Sequence, residues 1–396
     1  MKRLIISIFF VALATTLTAQ NRSIAFGENR TWKQTVKQAK KEKKLIFMDC
    51  YTSWCGPCQM LARYVFTKDS VADFFNAHFV NVKFDMEKSA EGSALRQKFG
   101  VKAYPTLLFI DPKTEEAVHL MVGGGTDKWL IGNGKQALDP ENNFSVLRKR
   151  YAAGEREIGF LKKYLSALSA AYRKDEVAQL AGEYLDALSA DEMATEENWE
   201  LIVKFVRDPL AVPLRTVMAE REKFYALAGR EAVDAKLEQS MTDAAYELMA
   251  WRGKKPFPEE RNRALTAYLQ NADFVAAPAA LAVLYTAAYA RQDDYRGMLA
   301  KMREVKSYNL FRNATWGNYF LKCLHLLFKC QDETVLRESI RWIDEETALS
   351  VLPLEKSNLV RCKLTTLKRI GSPEEIERAT AEWEKYDREF RATLKK

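Results

Sequence analysis

The chain has 396 residues, 47% of them hydrophobic, and a formal net charge of +8. That length and apolar content suit two or three domains with real cores and exclude a disordered or low-complexity chain. The basic residues are interleaved with acids and no basic–aromatic recognition motif appears, so no nucleic-acid partner is expected.

Residues 1–19 read as a secretory signal peptide. Lys2 and Arg3 form a charged start, and 4–13 is an apolar run too short to span a bilayer comfortably. Cleavage is expected after Ala19, and no cysteine follows to carry a lipid anchor. No later stretch is long and apolar enough for a transmembrane helix, so the mature chain is expected to have none. The reading is an exported protein, periplasmic if the source is a Gram-negative bacterium.

Residues 20–140 alternate between helical and strand patterns. Trp32, Val36 and Ala39 mark one face of a first helix, whose polar side carries the lysine run 37–44 as a solvated face. Residues 45–51 are apolar enough for a buried strand. A turn follows at Trp54-Cys55-Gly56-Pro57-Cys58, then helices at 59–66 and 71–76. A strand at 79–84, a helix at 90–99 ended by Gly100, and strands at 106–110 and 117–122 come next. Gly123-Gly124-Gly125 breaks into a helix from about 126 to 138. The order predicts a parallel strand pair, then an antiparallel pair, flanked by helices.

Asp139-Pro140-Glu141-Asn142-Asn143 is the best candidate boundary. Beyond it, 141–396 shows no convincing strand pattern. Apolar residues at helical spacing recur, as at Phe160, Leu161, Tyr164, Leu165 and Leu168, and breakers such as Pro353 and Gly371-Ser372-Pro373 punctuate them. This predicts an all-helical domain of antiparallel hairpins, with a solenoid as one form. His325, in the apolar run 324–328, is expected to be a core histidine.

The two cysteines of the turn carry the chemistry. The nucleophile in thiol–disulfide exchange is a thiolate. Cys55 would sit at a helix N-terminus, where free N–H groups and the helix dipole favour negative charge, a setting that lowers a cysteine pKa from ~8.5 into the range ~3.5–7.5. Cys55 attacks a partner disulfide, and Cys58, one turn on, attacks Cys55 and releases the partner. Pro57 suits a first helical turn because its missing N–H costs nothing there. A zinc knuckle would need a second Cys/His pair at similar spacing. His78 and His119 stand alone and Cys323 and Cys330 are seven apart, so no metal site is expected. No cofactor is needed either, since the dithiol itself carries the electrons. Cys50 is expected to be a buried, inert thiol. Cys323 and Cys330 on one helix would lie ~10 Å apart along its axis and cannot bond to each other; either could pair with Cys362, or all three could be free.

The run 48–58 resembles the active-site segment of the thioredoxin family. Phe99-Gly100-Val101-Lys102-Ala103-Tyr104-Pro105-Thr106 resembles that family's cis-proline segment, and Val122-Gly123 the glycine before its last helix. The resemblance covers about 24–140. It implies a thioredoxin-like α/β fold, with Cys55 attacking, Cys58 resolving, and Asp49 as a buried acid that moves the proton of the resolving thiol. It implies a cis Pro105 beside the two cysteines, and contacts to substrate from Trp54, Gly56, Pro57 and Tyr104. The lysine that family members place near the buried acid falls at Asn81 when counted back from Asp85, with Lys83 two residues on along the same face.

The expected function is an exported thiol–disulfide oxidoreductase. The Gly56-Pro57 pair resembles reducing members, which points to reduction of protein disulfides; a disulfide oxidase or isomerase is the alternative. A helical binding scaffold or chaperone with an accessory redox site is a second, different class. The expected partners are proteins with disulfides or thiols and a redox partner for the dithiol, a membrane electron carrier being one candidate.

Overall fold

The computed structural model describes residues 22–27, 30–252, 256–311 and 313–393. The expected signal peptide, 1–19, lies outside the described residues. The chain forms two compact units, one running through Leu180 and one from Ala181.

The first unit begins with α1 (Trp32–Glu42), β1 (Leu45–Tyr51), α2 (Gly56–Tyr64), α3 (Asp69–His78) and β2 (Phe79–Asp85). It continues with α4 (Ala90–Lys98), β3 (Thr106–Asp111), β4 (Glu116–Val122), α5 (Asp127–Leu138), α6 (Phe144–Ala152) and α7 (Ile158–Ala170). Thr31 and Gln34 close a reciprocal capping box at the start of α1, and Lys43, at φ 54°, ends it. The sheet order is β2-β1-β3-β4. β1 runs parallel to β2 and antiparallel to β3, and β3 runs antiparallel to β4. This is the thioredoxin-like α/β arrangement expected for this region.

β1 is inside the sheet and covered on both faces, which is why its sequence is apolar without alternation. On one face Phe47 meets Phe75 at 4.6 Å and Phe109 at 5.2 Å between ring centroids, beneath Leu61, Val71 and Leu130. On the other, Ile46, Met48 and Cys50 pack with Val36 and Ala39 of α1 and Leu95 of α4. α6 lies against β4, and Ala170 at the end of α7 reaches the phenylalanine-lined face.

In the second unit every regular element among the described residues is a helix. Helices pack on their sequence neighbours and on the next but one. Ala277–Arg291 contacts Glu259–Asn271 before it, Tyr295–Ser307 after it, and also Arg230–Met249 and Asn313–Leu326. Prolines mark starts: Pro353 and Pro373 open the last two helices. Glu346 is buried and accepts the indole N–H of Trp316 at 3.0 Å and of Trp342 at 2.9 Å, with Lys306 as its ion-pair partner.

Cys50, Cys323, Cys330 and Cys362 are all buried and unbonded. His325 is not a core residue: its side chain is exposed, with its ring 5.3 Å from that of Phe328. The apolar run 324–328 turns into a short 3-10 segment at Leu327–Lys329, which breaks the helical face on which the expectation rested. His119, by contrast, is fully buried in β4.

Phe47 touches four other rings besides Phe26. Phe47→Ala is expected to destabilise the first unit by about 3–5 kcal/mol, read as a lower urea midpoint for the transition that reports on this unit.

Candidate active site

The site forms where β1 leaves the sheet. After Tyr51 the chain turns, and the Cys55 N–H donates to the Thr52 carbonyl at 3.2 Å. Cys55 is the N-cap of α2, with extended backbone at φ −75°, ψ 103°. Its Sγ accepts the Cys58 N–H at 3.1 Å, and its carbonyl accepts the Gln59 N–H at 3.2 Å. A sulfur thus occupies the place of the usual oxygen cap. α2 therefore starts at Gly56 rather than at Gln59, and Pro57 lies in its first turn. Cys55 and Cys58 are joined in a disulfide, with Cα atoms 5.3 Å apart, and are only 3% and 4% exposed.

Asp49 lies on the same face of β1 as Phe47, by strand alternation, and α2 buries Cys58 and Leu61 against that side. Asp49 is 5% exposed and its Oδ1 has no hydrogen-bond partner among the described residues. Burial pushes its carboxyl up to about 7, against the opposing pull of Lys83. The cation beside Asp49 is thus Lys83, its register partner on β2, whereas Asn81 pairs with Phe47. Asn81 stands at the position counted back from Asp85, and the lysine of this chain, two residues on, is the one opposite Asp49.

The Tyr104–Pro105 peptide is cis. Thr106, next in the chain, pairs with Cys50 near the end of β1, so Pro105 enters beside the strand end from which the cysteine loop departs. The Pro105 carbonyl accepts the Gly123 N–H at 2.8 Å. Tyr104 meets Trp54 edge-on at 6.0 Å between ring centroids, which joins the two loops. Trp54 remains 68% exposed. A Cβ on Gly56 would meet nothing, so this glycine lies at an open surface.

Three features had no signal in the sequence. Glu87 accepts the Trp54 indole N–H at 2.8 Å across 33 residues. Thr52 is buried and anchors the turn through its carbonyl. Met60 and Tyr64, one turn apart on α2, are exposed apolar side chains of the helix that carries Cys58. Helical periodicity could have placed these two outside the core. Among the described residues no three His, Cys, Asp or Glu side chains converge as a metal site.

A reversible Cys–Cys couple at a helix N-terminus, at the end of a central strand, defines a thiol–disulfide exchange centre. Known proteins agree with that class. A family model described as thioredoxin-like matches residues 28–112. Thioredoxin H4 of Arabidopsis thaliana is 34% identical over 99 residues, covering 25% of this chain and 76% of that protein. Thioredoxin H5 of the same plant is 32% identical over 112 residues, covering 28% and 87%. Among solved structures, a candidate disulphide-isomerase from Bacteroides thetaiotaomicron is 47% identical, covering 31% of this chain and 99% of that one, with a TM-score of 0.28. The chain belongs to the thioredoxin family. It is a thiol–disulfide oxidoreductase.

The raised pKa of Asp49 gives a pH signature. The unfolded carboxyl ionises near 3.8 while the folded one keeps its proton to about 7. The neutral carboxyl costs no burial of charge at low pH, so folded stability is full below about pH 4 and falls as pH rises to about 7. Asp49→Asn should remove that fall. Its stability should match the wild type near pH 4 and exceed it by up to about 4 kcal/mol at pH 8, measured by urea unfolding at both pH values.

Proposed function

We propose that the protein is an exported reductase of protein disulfides, with Cys55 as the attacking and Cys58 as the resolving cysteine. The observation that carries the proposal is the Cys58 N–H on the Cys55 sulfur at the start of α2, which stabilises negative charge on the atom that must attack. In the reduced enzyme the Cys55 thiolate attacks one sulfur of a substrate disulfide. A mixed disulfide forms, and the departing substrate sulfur takes a proton from water. Cys58 then gives its proton to the Asp49 carboxylate and attacks Cys55, which releases the second substrate thiolate. The substrate gains two electrons and the enzyme ends as the Cys55–Cys58 disulfide. A donor dithiol must then return two electrons and two protons; an electron carrier in the membrane fits an exported enzyme.

Asp49 suits its role because a carboxyl with a pKa of about 7 exchanges protons readily near neutral pH. Trp54, Gly56, Pro57 and Tyr104, with the backbone beside Pro105, form the surface on which the substrate strand lies. The export reading rests on the charged start and apolar run within 1–19. Among the described residues no helix is long and apolar enough to cross a membrane. We propose 20–140 as the redox domain and 141–396 as a helical domain that serves it.

The direction of electron flow is tested by equilibrating the Cys55–Cys58 pair with glutathione. A reduction potential near ~−270 mV is expected for a reductase, whereas ~−120 to −180 mV would mark an oxidant or isomerase. Roles within the pair are tested by Cys58→Ala, which should accumulate Cys55-dependent mixed disulfides on non-reducing gels. Asp49→Asn should slow insulin reduction at pH 7 by roughly tenfold or more while leaving adduct formation by the Cys58→Ala background intact. If the pre-reduced Cys58→Ala enzyme forms no adducts in a cell extract whose proteins carry disulfides, Cys55 is not the attacking residue.

A further inference from the structure

The helical unit contains a cavity that the redox reaction does not use. It lies between helices Glu259–Asn271 and Ala277–Arg291 and measures about 290 Å³. Ala267, Leu284 and Ala288 give it an apolar floor, and Arg263 and Arg291 bring two positive charges. None of its lining residues is acidic.

The polar groups are set for one kind of ligand. The Arg291 guanidinium lies over the Phe257 ring at 4.1 Å, which fixes its plane. Arg291 is exposed at the rim, where partial desolvation holds its pKa below the usual value against the attraction of Glu259. A planar guanidinium stacked on a ring, with no directly paired carboxylate among the described residues, is a receptor for a carboxylate, which it can hold with two parallel hydrogen bonds. The Tyr285 hydroxyl accepts a hydrogen bond from the Gln270 amide nitrogen at 2.8 Å, so its own proton is left to donate. The same bond leaves Gln270 Oε1 as an acceptor at the wall. Lys301 Nζ lies 5.7 Å from the Tyr285 ring but is paired with Glu304 at 2.8 Å, so the positive charge at the cavity is that of the two arginines.

We propose that this cavity binds the C-terminal residue of a peptide or protein chain. The terminal carboxylate is taken by Arg291 and Arg263 with help from the Tyr285 hydroxyl. The last backbone N–H is taken by Gln270 Oε1, and an aliphatic side chain fills the floor. An inorganic anion would leave the floor empty, and a simple carboxylic acid would leave the Gln270 acceptor unused. The volume is at the low end for ligand pockets and fits one or two residues, not a long segment. The proposal is independent of the direction of the redox reaction.

The test is calorimetric titration of the full chain with N-acetyl-alanyl-leucine, its C-terminal amide and hexanoate. Saturable binding of the acid peptide is expected, with the amide and hexanoate weaker by about tenfold or more. Arg263→Ala and Arg291→Lys should each weaken the acid peptide about tenfold, and Ala288→Leu, which fills the floor, should abolish binding. Unchanged melting of the unliganded variants shows that they are folded, and insulin reduction by Arg263→Ala should equal the wild type. Equal affinity for acid and amide, equal affinity for hexanoate, full affinity in Ala288→Leu, or no saturable binding at millimolar acid peptide would each overturn the proposal.

Discussion

The site depends on one junction: a helix that starts on a sulfur. Cys55 leaves a strand buried on both faces and caps α2 with its own side chain, taking the Cys58 N–H. The strand fixes where the helix begins, because β1 is gripped by β2 and β3 and by an aromatic layer on one side. The helix then fixes the second sulfur, since one turn carries Cys58 back toward Cys55. Neither sulfur is open to solvent, so access comes from a partner laid over the loop ends. The exposed Trp54, next to Cys55 in the chain, is the first side chain such a partner meets. Trp54 is held in that exposed position from two sides, by Glu87 and by Tyr104.

Behind this junction the fold accepts an electrostatic cost. A carboxyl in the apolar layer under α2 gains nothing for packing, and its Oδ1 lacks a partner. Lys83 is its strand neighbour but is exposed at its end, so it offsets part of the burial and not all of it. The result is a group whose two protonation states are close in free energy near neutral pH. A leucine at position 49 would suit the core better, and a full salt bridge would hold the charge permanently. The arrangement between these extremes is the one that permits proton transfer, and it conflicts with local stability in the way functional sites often do.

The fold was legible where a single local rule decided. β1 is an unbroken apolar run, Gly100 is left-handed at φ 62°, and Thr126 caps α5. The Cys–Gly–Pro–Cys turn announced a helix, although that helix starts at Gly56 and not at the expected Gln59. What escaped depended on contacts distant in sequence. Lys83 stands opposite Asp49 through the parallel register of the whole β1–β2 ladder, which a shared strand face alone leaves open. Glu87 reaches Trp54 from a different loop, and a glutamate among charged neighbours carries no sign of that use. The histidines show the same limit. His119 sits in a strand whose burial comes from α5, where Asn133 meets its ring at 3.1 Å, while His325 sits in an apolar run that ends its helix too early to bury it.

The helical unit follows a different rule, visible in helix Ala277–Arg291. Its sequence is rich in alanine, and it packs on four other helices. Small side chains let neighbouring backbones approach closely, so one helix can serve as a common partner where bulky residues would keep the others apart. Seven of its hydrophobic side chains, Ala277, Ala279, Ala280, Ala282, Val283, Leu284 and Ala287, are buried in this way. The same property has a local consequence on the side facing Glu259–Asn271. There Ala288 and Ala267 both line a space that neither helix fills. Arg263 and Arg291 border that space from exposed positions, and no acidic side chain lines it. Alanine spacing thus accounts for the opening, and the two arginines at its rim are the charges that the proposed carboxylate would meet.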